Sequence, residues 1–224
     1  MKLLIANWKA LITVPEAMEW LHTFLDYVNS NAIEEKLEAN DVHIVICPPF
    51  PFLSVVKEKC LLYKNITVGS QTVSGMNQGT FTGEVTAEFL KEYVSYTIIG
   101  HSERRTYFHL SEEEIAQQVE QATTHGISPI VCIRNEQDII HPNVTHIAYE
   151  PIEAIGSGQN ASIQDVITMK QKLNLPEHTY FIYGGSVDAE NIKTYLNSGE
   201  IDGFLVGTAS LQADSFIKLV EAII

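Results

Sequence analysis

With 224 residues, 45% of them hydrophobic and 19% charged, the chain is long enough to bury one sizeable core, and a single domain over residues 1–224 is the leading expectation. Its 14 Lys+Arg against 28 Asp+Glu give a formal charge of -14, which argues against nucleic acid or an anionic membrane surface as a partner. An anionic ligand would have to be held by local groups against that overall field. Cys47, Cys60 and Cys132 are widely spaced, with no Cys-x-x-Cys pair, and read as a reduced, cytoplasmic setting without a metal site. The apolar start Met1 to Ala6 is interrupted by Asn7 and Lys9 before it could serve as a signal segment, and no stretch approaches the roughly 18 apolar residues of a membrane span.

Taken in order, the chain alternates. Leu3 to Ala6 reads as a buried strand with Asn7-Trp-Lys9 at its carboxyl end. Pro15, whose fixed φ suits a first helical turn, opens a helix expected to bury Met18, Leu21, Leu25 and Val28. Val42 to Cys47 is a second strand, closed by Pro48-Pro49 before a helix across Leu53 to Lys59. Ile66 to Val68 is a third, followed by a long glycine-bearing loop from Gly69 to Gly83. Thr97 to Gly100 is a fourth, leading into His101-Ser-Glu-Arg-Arg105. Ser111 and Glu114 form a capping box that starts a helix to about Thr124. Ser128 to Ile133 and Thr145 to Tyr149 are strands five and six. The roughly dozen residues between them are the bare minimum for a parallel connection, too few for a full helix. Ser162 to Asp165 opens a helix, Thr179 to Tyr183 is strand seven, Ile192 to Leu196 is helical, Ile201 to Val206 is strand eight, and Ser215 to Ile224 closes the chain as a helix.

Eight strands alternating with helices imply a parallel sheet, and eight closes it into an α/β barrel. An open doubly wound sheet is the alternative, but no Gly-x-Gly-x-x-Gly follows a strand. In a closed barrel the carboxyl ends of all strands share one face. Asn7, Lys9, His101, Glu103, Glu150, Ser186 and the Gly207-Thr208 turn would therefore meet there. Glu150 falls where a β-branched run stops against Pro151, and Ala154 to Gly158 beyond it suits a loop that moves or wraps an anion. Tyr183-Gly-Gly-Ser186 and Leu205-Val-Gly-Thr208 offer unobstructed peptide N–H groups, so three loops on one face read as a phosphate cradle.

Asn7-Trp-Lys9, Phe81-Thr-Gly-Glu84, Gly100-His-Ser-Glu-Arg-Arg105, Ala148-Tyr-Glu-Pro151, Ala154-Ile-Gly-Ser-Gly158, Tyr183-Gly-Gly-Ser186 and Leu205-Val-Gly207 together resemble the triosephosphate isomerase family, in order, from residue 5 to beyond residue 210. The resemblance implies a (β/α)8 barrel, shortened around strands four to six. It implies an isomerase of glycolysis and gluconeogenesis acting on a small phosphorylated triose. Glu150 would be the base that moves a proton between adjacent carbons. His101 would polarise the substrate oxygens, and the family's neutral imidazole at a helix amino end is an established arrangement that Ser102 to Arg105 would reproduce. Lys9 and Asn7 would stabilise and orient the developing enediolate, with Glu103 holding Lys9 and Ser102 in support. Gly156, Ser186, Gly207 and Thr208 would bind phosphate through their backbone. No metal or organic cofactor is implied. Thr82 and Glu84 would enter a neighbouring subunit and meet Arg104, giving a homodimer, with a tetramer as the alternative that comparable trimming accompanies in archaeal members.

Read singly, these residues have plainer roles. Lys9 and Glu103 could form an ordinary surface ion pair, His101 could cap a strand end, and Phe81, Thr82, Glu84, Arg104 and Arg105 could be solvated loop residues. Other positions depart from the family pattern: Thr72 follows Gln71 in place of Asn, Glu153 and Gln159 flank the lid in place of Trp and Lys, and Pro-Ile-Glu forms an archaeal-type hinge. Arg134-Asn135 interrupts the Cys-Ile-Gly-Glu run, and Thr208 replaces the second glycine of the phosphate turn, where a positive φ would be costly. The shortened segment between residues 134 and 144 is expected to leave strand five bare to solvent or to another subunit. Two further functions remain open: a catalytically silent barrel that binds phosphate or assembles, and an isomerase of a larger phosphosugar.

Overall fold

The computed structural model describes residues 1–151 and 160–224. Eight parallel strands close in sequential order into a barrel: β1 (Lys2–Asn7), β2 (Val42–Cys47), β3 (Ile66–Ser70), β4 (Tyr96–Ile99), β5 (Ser128–Ile133), β6 (His146–Tyr149), β7 (Tyr180–Tyr183) and β8 (Gly203–Val206), with β8 paired to β1. The β-branched runs serve as strands because both of their faces are buried. Leu3, Ile5, Val45, Ile98, Ile130 and Ile182 fill the barrel, while Leu4, Ile44, Ile99, Val131 and Phe181 face the surrounding helices.

Those helices are α1 (Val14–Ser30), α2 (Ile33–Ala39), α3 (Leu53–Cys60), α4 (Ala87–Leu90), α5 (Ser102–Tyr107), α6 (Glu112–Thr124), α7 (Ile163–Leu173), α8 (Ile192–Leu196) and α9 (Ala213–Ile223). α6 begins at the expected box, with the Ser111 side chain accepting from the Glu114 N–H and the Glu114 carboxylate accepting from the Ser111 N–H at 2.8 Å. Such a cap contributes about 1 kcal/mol. In α1 the buried stripe is Ala17, Trp20, Leu21, Phe24, Leu25 and Val28, so Met18 lies half-buried beside it. The two tryptophans explain the rotation of that face. Trp20 packs on Trp8, Phe24 and Phe216, and large aromatic area outweighs a methionine. The short helices α2 and α4 escape a periodicity reading because each shows at most two turns.

Residues 134–145, linking β5 to β6, contain turns and no helix, as their length requires. They do not leave β5 bare, however. Five of its six residues are buried, because α6 packs on it and Ile140 and Val144 of the connection fold back over the core. The expectation of an exposed fifth strand is therefore corrected.

Candidate active site

At the end of β1, Asn7 is buried and its Oδ1 accepts the Lys9 N–H at 3.1 Å. Lys9 has φ 52°, the left-handed region that a non-glycine residue adopts only when surrounding bonds impose it. Gln71 supplies one, its Nε2 donating to Lys9 O at 2.8 Å and to Cys47 O at 3.0 Å. The Lys9 ammonium is thus aimed by its backbone, and it meets Glu103 Oε1 at 2.5 Å.

The end of β4 carries His101, which caps α5. Its Nδ1 accepts the Glu103 backbone N–H at 3.2 Å. Nε2 lies 2.9 Å from Oε1 of Glu150, which stands beyond the end of β6 and is 2% exposed. The other oxygen, Oε2, accepts the Ser102 N–H at 2.8 Å, and the Glu150 N–H is fixed to Ile133 O at 2.8 Å. Burial drives the Glu150 pKa up, but the His101 charge and the bonds from His101 and Ser102 outweigh it, leaving the carboxyl below its ordinary range. Burial likewise pushes His101 down, and the Glu150 charge, its hydrogen bond and Glu103 turn the net shift upward. With Nδ1 occupied as an acceptor, the single proton of a neutral ring sits on Nε2, facing Glu150.

Two loops complete the mouth. After β7, a Cβ on Gly184 would stand 2.9 Å from Glu150 Cγ, so the absent side chain is what lets the carboxylate pass. Beyond β8, Gly207 lies against Lys9 Cε, and Thr208 to Ser210 form a short 3-10 turn. Thr208 is not among the residues of positive φ, so the Gly207-Thr208 turn needs no second glycine here. Ser210 Oγ holds that turn through Gly207 O at 2.7 Å and Val206 O at 3.0 Å.

Asn7, Lys9, His101, Glu150, Ser186, Gly207 and Thr208 line one cavity of about 510 Å³, also bordered by Asn160, Asp188 and Gln212. Lys9 is its only cationic side chain among the described residues apart from His101. Every expected chemical group that the structure describes thus converges, with Ser102 and Glu103 directly behind. Gly156, together with Glu153, Gln159 and the Ala154 to Gly158 loop, lies outside the described residues.

Thr82, Glu84 and Arg104 stand elsewhere. Glu84 accepts from Ser74 Oγ, and it lines with Arg104 a separate cleft of about 350 Å³. Arg104 packs over the Phe108 ring at 4.9 Å, and among the described residues no ion pair joins it to Glu84 within the chain. Phe81, Tyr107 and Phe108 are exposed.

Over residues 2–223 the chain matches the family model described as triosephosphate isomerase. The chain belongs to the triosephosphate isomerase family. It is 36% identical to the triosephosphate isomerase of Alkaliphilus metalliredigens and 35% identical to that of Aquifex aeolicus, each comparison covering 98% of both chains. It is 34% identical to the one from Alkaliphilus oremlandii over the same shares. The first alignment runs over 253 positions against the 224 residues here, so this triosephosphate isomerase family member is a trimmed one.

Three site residues were not expected from sequence. Gln71 clamps Lys9, Ser210 knots the Gly207-Thr208 turn, and Tyr183 Oη accepts the Ala161 N–H at 3.1 Å, where Tyr195 Oη also donates to Ala161 O at 2.7 Å. Only Tyr183 had a signal, its place in Tyr-Gly-Gly-Ser. Among the described residues no group of three His, Cys, Asp or Glu side chains could hold a metal ion, and no helix is long and apolar enough to cross a membrane.

Proposed function

We propose that the protein interconverts dihydroxyacetone phosphate and D-glyceraldehyde 3-phosphate by proton transfer through an enediolate, using Glu150 as base and His101 and Lys9 as electrophiles. One observation carries the reading: a buried Glu150 carboxylate, a His101 imidazole with its Nε2 proton turned inward, and a single ammonium line one small cavity.

The chemistry follows from what a ligand must displace. A substrate entering between His101 and Glu150 breaks their bond. Glu150 then loses the partners that depress its pKa while remaining buried, and it becomes more basic. His101 loses the charge that raises its own, so the ring stays neutral and donates through Nε2. Glu150 takes the proton from the carbon next to the carbonyl, and the electron pair moves into the carbonyl. The oxyanion is met by the His101 N–H and the Lys9 ammonium. His101 passes its proton to one oxygen and recovers one from the other, and Glu150 returns its proton to the adjacent carbon. Asn7 fixes the Lys9 backbone, and the N–H groups at Ser186, Gly207, Thr208 and Gly156 are assigned to the phosphate.

We further propose one domain over residues 1–224, a cytoplasmic setting and a homodimer. Exposed Phe81, next to Thr82 and Glu84 in sequence, and exposed Phe108 under Arg104 support the assembly, since large exposed apolar side chains at such positions suit a contact surface. Dilution should lower activity and melting temperature together; full activity in a monomeric sample contradicts the dimer. The alternative of a silent phosphate-binding barrel loses one of its grounds, because Thr208 sits in an unstrained turn. Coupled-assay turnover separates the two: stabilisation by phosphoglycolate with no turnover would establish the silent barrel.

A further inference from the structure

The β5–β6 connection carries a charged cluster that the reaction above does not use. Arg105 is 4% exposed at its side chain and joins two strand ends. Its Nε donates to Gly100 O at 2.8 Å, immediately before His101, and its Nη2 to Cys132 O at 3.3 Å, one residue before the carbonyl that holds the Glu150 N–H. Gly100 has φ 72°, and a Cβ there would stand 3.1 Å from Arg105 Nη2, so the guanidinium is seated directly on this turn. Its outward face meets Glu112, at 36% exposure, and Asp138 Oδ1 at 3.9 Å.

Asp138 is 4% exposed and belongs to the connection that is too short for a helix. Arg134 locks it, with Nη2 to Oδ1 at 2.6 Å, Nε to Oδ2 at 3.0 Å and the backbone N–H to Oδ2 at 2.7 Å. A buried guanidinium needs a buried countercharge. Without Asp138, the remaining carboxylate on Arg105 is that of the partly exposed Glu112, which would draw the guanidinium outward and off Gly100 O and Cys132 O.

We propose that Asp138 is a positioning residue of the active site, acting through Arg105 to fix the strand ends that carry His101 and back Glu150. This rests on the functional reading above. In this trimmed chain the connection contributes a rigid carboxylate in place of a helix. The carboxyl stays ionised because the Arg134 bonds and the Arg105 charge outweigh the cost of burial, which otherwise raises its pKa.

The test is steady-state kinetics of triose phosphate isomerisation by Asp138→Asn, with the melting temperature recorded beside it. A positioning role predicts kcat lower by about tenfold with KM within about twofold, because the reacting groups and not the phosphate loops lose their geometry. The double variant with Arg105→Lys should be no worse than the poorer single one. A lower melting temperature with kcat per folded enzyme unchanged overturns the proposal. If Asp138→Asn does not fold, Arg134→Met, a substitution at a partly exposed side chain, should lower kcat by about threefold, and an unchanged kcat there overturns it equally. Should the parent itself fail to turn over, the functional reading fails separately, and NMR titration of His101 reads the coupling directly. A midpoint moved by about half a pH unit or more in Asp138→Asn supports positioning, and an unmoved midpoint refutes it.

Discussion

His101 Nε2 lies 2.9 Å from Glu150 Oε1, so the imidazole and the carboxylate occupy each other. Each shifts the other toward its charged form, His101 upward from an ordinary 6.5 and Glu150 downward from 4.5. The stabilisation from His101 is fully present below pH 6.5 and lost as pH rises through its folded value. That from Glu150 is present above pH 4.5 and lost as pH falls through its own. Their window of overlap lies between those two figures.

Glu150→Gln should therefore cost most stability near pH 5.5 and less near pH 8.5. Urea midpoints of parent and variant across that range check this. A gap that widens steadily toward alkaline pH contradicts the pairing.

Gly185→Ala tests the Tyr183–Ala161 contact. A Cβ at Gly185 would stand 2.2 Å from Tyr183 Oη, which receives the Ala161 N–H. Overpacking of this kind costs about 1–3 kcal/mol. Melting temperature should fall, and kcat should drop by more than the folded fraction does, because the Tyr183 hydroxyl beside the cavity-lining residues Gly184 to Ser186 is displaced. Parent-like kcat and stability would show that Tyr183 does not need this contact.

Far from the site, His146 lies at the opposite end of the barrel, stacked on Tyr180 at 5.1 Å and edge-on to Tyr96, with its Nε2 lacking a hydrogen-bond partner among the described residues. Burial holds its pKa down to about 4. Between that value and 6.5 the unfolded chain binds the proton and the folded one does not, so stability falls as pH drops through this window, by about 3 kcal/mol if the residue acts alone. His146→Phe keeps the stack and removes the titration. Its urea midpoint should change less than the parent's between pH 6.5 and 4.5, and an equal change would assign the acid loss to carboxylates.

Much of this was legible in sequence because strands buried on two faces read as continuous apolar runs, and Val42 to Cys47 and Ser128 to Ile133 were recovered residue for residue. Strand order followed from alternation alone. The site was legible because barrel closure brings strand ends together, and Asn7-Trp-Lys9, His101, Glu150, Gly184-Gly185 and Gly207 each follow or end a strand. What stayed hidden depends on contacts across the chain. Gln71 looks like any loop amide until its Nε2 is found on Lys9 O. Asp138 looks like a surface acid until the connection folds it against Arg105 and Arg134. The face of α1 turned because Trp20 had partners, Trp8 and Phe216, that helical spacing does not see.

The most direct test of the account is coupled-assay turnover of D-glyceraldehyde 3-phosphate by the purified protein beside Glu150→Gln. An amide at this position keeps the shape of the carboxylate and cannot accept the carbon-bound proton. The account predicts turnover in the parent that falls by about a hundredfold or more in the variant. Equal turnover in both proteins would contradict Glu150 as the base, and none in either would contradict the isomerase reading itself.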